Sequence, residues 1–112
     1  MKIASLSKSI EYHQNKPSVA VLLETENTKE IRILMKKGQE MAAHQTPFPI
    51  VVELFEGNIE FGVKGQKHHL VKGDMIALEG GIPHDLLALS DSIIRLSLSK
   101  KDKVQRVINL VQ

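Results

Sequence analysis

The sequence predicts an all-β domain, a sandwich or barrel of short antiparallel strands, followed by one short C-terminal helix. Three observations predict it. Apolar and polar residues alternate through most of the chain, which is the period of a half-buried strand. The alternating stretches are short and recur roughly every 8–12 residues, with Gly, Asn or Asp at the joins, as in sandwiches and barrels. Only the last segment, DKVQRVINLVQ, changes period. Its Val104, Val107, Ile108 and Val111 fall at i, i+3, i+4 and i+7, one face of a helix.

The elements follow in order. SVAVLLET, from Ser18, reads as a strand and ENT as a turn. KEIRILMK then returns with Ile31, Ile33 and Met35 on one face, completing a hairpin. Gly38 breaks that run. Alternation back from His44 puts Ala42 and Glu40 on the same face as the histidine. IVVELFEG is the next strand, Gly57-Asn58 a turn, and IEFGV returns with Ile59, Phe61 and Val63 aligned. KGQ turns again and KHHLV is a short strand. Gly73 and Asp74 supply a tight turn. MIALEGG follows, then HDLLALS after Pro83, a turn at Asp91-Ser92, and IIRLSLS as the last strand. Asp102 is the expected N-cap of the helix, whose apolar face packs on the barrel or on a partner subunit. Residues 1–17 form an arm or an edge strand, residues 18–99 the barrel, and residues 100–112 the helix.

Composition narrows the function classes. A chain of 112 residues is one domain, and at 42% apolar and 25% charged it has an ordinary globular balance. It has no cysteine, which removes disulfides, thiol nucleophiles and zinc–thiolate sites and suits the cytoplasm. A net charge of +2 with scattered basic residues does not favour nucleic acid. One terminal helix is also too few for a helix-turn-helix. The longest apolar runs, Val19–Leu23 and Ile50–Val52, are far too short to span a bilayer, and the first residues lack the apolar stretch of a signal peptide. A serine triad has no support, because no Gly-x-Ser-x-Gly elbow is present.

Two stretches carry a family resemblance. In the first, Gly38, His44 and Gly57 match a pattern of glycine, five residues, His-x-His, three or four residues, Glu, six residues and glycine. In the second, Gly73, Gly81 and His84 match glycine, five residues, Pro-x-Gly, two residues, His, three residues and Asn. Fifteen residues separate the two. Over roughly Ser18 to Ser99 the chain resembles the cupins, small jelly-roll β-barrels. It departs from their pattern at Thr46 (for the second His), Ile50 (for Glu), Glu79 (for Pro) and Ala88 (for Asn). Of the four residues that hold the metal in typical cupins, His44 and His84 remain.

The resemblance implies a cavity into which His44 and His84 both project. Typical cupins bind iron, zinc, manganese, copper or nickel there through imidazoles and a carboxylate. Two protein ligands fall short of such a centre. Thr46 is a poor ligand, Ile50 cannot ligate, and Phe48, of the same parity, makes the mouth drier still. Glu40 is the residue that would complete a reduced set of His44, His84 and Glu40. His68 shares parity with inward Leu70 but lies on a strand that does not usually supply cupin ligands. The favoured reading is a stand-alone cupin domain holding a small organic ligand. In it Thr46, Phe48 and Ile50 shape the pocket, and His44 and His84 are its polar handles or an acid–base pair. The alternative is a metal-dependent isomerase, lyase or dioxygenase with the reduced set, so a divalent metal is the less favoured cofactor. Homodimers are expected, since cupins commonly pair through barrel strands. Nucleic-acid and membrane partners are not expected.

Overall fold

The computed structural model describes residues 1–101 and 104–111, without the side chains of residues 104–106. Among the described residues, nine strands form two antiparallel sheets. They are β1 (Ser18–Glu24), β2 (Thr28–Met35), β3 (Glu40–His44), β4 (Ile50–Glu56), β5 (Asn58–Val63), β6 (Gln66–Val71), β7 (Met75–Leu78), β8 (His84–Ala88) and β9 (Ser92–Ser99). One sheet has the order β1-β2-β9-β4-β7 and the other β3-β8-β5-β6. The all-β architecture expected from strand spacing, and the jelly roll implied by the cupin resemblance, are therefore present, and each expected strand coincides with an observed one.

Alternation decides the core. Ile31, Ile33 and Met35 of β2, Ile94, Leu96 and Leu98 of β9, Ile50, Val52 and Leu54 of β4, and Ile59 and Phe61 of β5 all turn inward and are buried. Close-packed interdigitation between two such faces excludes water and stabilises the sandwich.

One helix among the described residues, α1 (Val104–Leu110), follows β9. Val107 is buried and Val111 packs against the core, so the apolar face rests on the barrel. The expected cap, Asp102, and the side chain of Val104 lie outside the described residues. No helix among the described residues is long and apolar enough to cross a membrane.

The outer face of the larger sheet has two features that alternation alone does not reveal. Residues 1–17 contain no strand. Instead the Arg32 guanidinium donates to the carbonyls of Ser5, Lys8 and Ser9, and the arm covers it. Beside it, Arg95 bridges Glu30 at 2.6 Å and Glu53 at 2.8 Å, linking three strands. Desolvation pushes the Glu30 carboxyl up. Hydrogen bonds from Ser97, Thr28 and Arg95, with the charge of Arg95, outweigh it and hold Glu30 below its ordinary value of 4.5.

A depressed folded pKa means stabilisation that is present above the unfolded pKa and lost as pH falls through the folded one. The urea midpoint should therefore drop as pH is lowered below 4.5. Glu30→Gln should flatten part of that slope. An identical acid slope in the variant would show that the Glu30 carboxyl does not carry it.

Candidate functional site

His44 ends β3 and His84 begins β8. The two strands pair so that His44 lies directly opposite His84. This cross-strand pairing brings together two histidines that stand far apart in sequence. Their rings meet edge to face, with centroids 4.2 Å apart and planes at 60°. Phe61 of β5 stacks on the other side of His84 at 5.4 Å and 8°.

The backbone orients both imidazoles in the same way. His44 Nδ1 lies 2.7 Å from the Ala42 carbonyl, and His84 Nδ1 lies 3.0 Å from the Ile82 carbonyl. A carbonyl only accepts, so each Nδ1 carries the proton, and in the neutral ring Nε2 is the acceptor nitrogen.

The pairing of β3 with β8 also corrects the expectation for Glu40. Its register runs Met41↔Leu86 and then His44↔His84, with an irregularity between them. Three steps on β3 oppose two on β8, as in a β-bulge. The extra residue reverses the parity, so Met41 turns inward with His44. Glu40 is exposed on the outer face, away from both histidines.

Phe48 needs a similar correction. Residues 45–49 form no strand, so the parity of β4 does not extend to them. Phe48 is half-buried outside the cavity wall, and its carbonyl accepts the Thr46 hydroxyl proton. His68 is exposed despite sharing parity with buried Leu70, because β6 is an edge strand with a neighbour on one side only. Thr46 and Ile50 do line the cavity, as expected.

The loops that carry the two sequence patterns hold each other in place. Gly81 N–H donates to the Thr46 carbonyl at 2.6 Å. A Cβ at Gly80 would lie 2.5 Å from the Pro47 carbonyl oxygen, closer than real atoms approach. Glycine is needed there for backbone to meet backbone. The contact ties the Thr46 loop to the segment that leads, three residues after Gly81, to His84.

Apart from His44, His84 and Thr46, the wall is apolar and includes Ile33, Met41, Ile50, Phe61 and Val107 of α1. The enclosed space is about 20 Å³, room for roughly one water molecule. The barrel is thus filled by its own side chains, and the organic-ligand cavity of the sequence reading is not open in this state. Phe61, Met41 and Val107 were not read as site residues from the sequence. Phe61 and Val107 were visible there as members of apolar faces, whereas Met41 is brought in by the bulge.

Among the described residues, no three His, Cys, Asp or Glu side chains gather closely enough to hold a metal ion. The Thr46 hydroxyl is engaged by the Phe48 carbonyl. The described donors therefore do not make a four-ligand centre.

No family model matches the sequence, and no curated protein matches it significantly. Solved structures do match. An RmlC-like cupin protein from Desulfovibrio desulfuricans is similar with a TM-score of 0.81 and 22% identity, over 88% of this chain and 96% of that one. A protein with a double-stranded β-helix domain from Klebsiella pneumoniae gives 0.76 and 24%, over 88% and 89%. A cupin superfamily protein from Desulfitobacterium hafniense gives 0.74 and 13%, over 80% and 83%. At these identities the likeness is one of fold.

Proposed function

We propose that this chain, a small barrel of the cupin fold, binds a small organic molecule at the barrel mouth through His44 and His84, without the full cupin metal centre. One observation carries the reading. Two imidazoles, each held by a backbone carbonyl at Nδ1, converge in an enclosure whose wall, apart from Thr46, is apolar. An apolar enclosure with a few convergent polar groups is the usual form of a small-molecule site. Because the enclosed space is about 20 Å³, binding requires the side chains that line it to move apart.

Suitable ligands carry a hydroxyl that donates to Nε2, such as a sugar hydroxyl or the enol hydroxyl of an enolisable keto acid. The test uses untagged wild type and the His44→Ala/His84→Ala double variant. Ligand-observed NMR against monosaccharides and short alpha-keto acids should find a binder that the double variant holds about tenfold less tightly. No binder, or equal binding by both proteins, overturns the proposal. Metal analysis after saturation with iron, zinc, manganese, copper and nickel tests the other part. Stoichiometric metal in the wild type, lost in the double variant, would favour the reduced metal centre instead.

A further inference from the structure

The arm, residues 1–16, lies on the outer face of the larger sheet and is attached to it by side chains alone. None of residues 1–16 is buried. Among the described residues the arm shares no backbone–backbone hydrogen bond with the barrel. The Arg32 guanidinium donates to the carbonyls of Ser5 at 3.4 Å, Lys8 at 2.8 Å and Ser9 at 3.3 Å. Gln39 Nε2 donates to the His13 carbonyl at 2.8 Å, and Lys2 Nζ reaches back to the Glu24 carbonyl at 3.3 Å. Pro17, which is buried, marks where the chain joins the barrel.

The closed arm carries costs of its own. Arg32 is 8% exposed and has no ion pair among the described residues. A cation withdrawn from water and met only by neutral carbonyls is expensive to keep there. Ser9 adopts a φ of 55°, a conformation non-glycine residues seldom take. Packing is also loose. A space of about 220 Å³ is bordered by Ala4 and Leu6 of the arm and by Leu22 and Leu23 of the sheet, and one of about 180 Å³ by Ser9 and Glu11 and by Ala20 and Leu34. Unfilled space forfeits the dispersion contacts of a close-packed core. Opening the arm hydrates the guanidinium head and frees Ser9, and it gives up little apolar burial.

We propose that the arm is a strap that unlatches from the barrel as one unit, with Arg32 as its main latch and its hinge just before Pro17. Units with few buried apolar contacts open at a fraction of the global unfolding free energy. Closed, the strap covers the outer face of β2, where Arg32 and Leu34 share one side of the strand. Open, it presents that face to solvent. The nine strands pair with one another and not with the arm, so both sheets stay intact.

The test is limited trypsin cleavage of the full chain at the Lys8–Ser9 bond, read by mass spectrometry. Each rate is divided by that of a synthetic peptide of residues 1–17 carrying the same substitution. Wild type should be protected roughly ten- to a thousandfold, at a rate nearly unchanged by urea too dilute to unfold the barrel. The chain cleaved there should keep the strand circular dichroism of the intact protein. Arg32→Lys keeps the charge but loses the planar fork, and should lower the protection about tenfold. Ser9→Gly relieves the backbone at an exposed position and should raise it about threefold. Absence of protection, cleavage that rises with urea in step with global unfolding, or loss of the strand signal on cleavage overturns the proposal. Undiminished protection in Arg32→Lys, or lower protection in Ser9→Gly, also overturns it.

Discussion

Phe61→Ala should lower stability by about 3–5 kcal/mol, the range for emptying a buried aromatic site, read as a lower urea midpoint with an unchanged slope. Phe61 is fully buried on the middle of β5. It lies opposite Leu86 on one side and His68 on the other. Strands on both sides fix the backbone around it, so the cavity left by truncation cannot collapse well. Phe61→Leu keeps much of the volume and should cost about 1–2 kcal/mol.

The same substitution should report on the site. The Phe61 ring lies parallel to that of His84 at 5.4 Å, so its removal should shift the His84 imidazole proton resonances in NMR. A loss below about 1 kcal/mol, or unmoved His84 resonances, would contradict this packing.

Gly57→Ala should cost about 3 kcal/mol, combining backbone strain with overpacking. Gly57 has a φ of +104°, and an added Cβ would lie 2.3 Å from Ser92 Oγ and 2.6 Å from the Asp91 carbonyl. Ser92 has no slack to give. It is fully buried, accepts from Asn58 N–H at 3.1 Å and donates to the Ser90 carbonyl at 2.8 Å. The backbone oxygen cannot rotate away either. Gly38→Ala is the matched control. Its φ is +90° but nothing lies within 4 Å of the new Cβ, so only the strain remains, about 1 kcal/mol. Equal costs at the two glycines, measured by thermal or urea unfolding, would show that the close approach to Ser92 is not what requires glycine at position 57.

Much of the candidate site was legible in the sequence because it depends on spacing. His44 and His84 hold matched positions in two patterns, and Thr46 and Ile50 follow from the same count. These four residues all border the enclosed space. Glu40 and Phe48 were misplaced for a shared reason: parity was extended beyond the residues where it holds. A bulge between Met41 and His44 adds one residue to one strand, and residues 45–49 are not a strand at all. Neither feature changes the composition or the average period, so neither leaves a sequence signal of its own.

The sequence by itself determined the class of fold, the order of the strands along the chain, the apolar face of the helix and the identity of the histidine pair. All of these rest on local periodicity and fixed spacing, which a chain carries in its own order. The tertiary structure alone decided that the barrel is nearly full, that Val107 lines the remaining space, that Glu40 faces away, and that Arg32 sits beneath an arm with no carboxylate partner among the described residues. Each of these is settled by what packs against a residue from distant chain. Enclosed volume depends on how side chains from both sheets and α1 meet, and countercharge depends on neighbours across β1, β2 and β9, which no stretch of sequence contains.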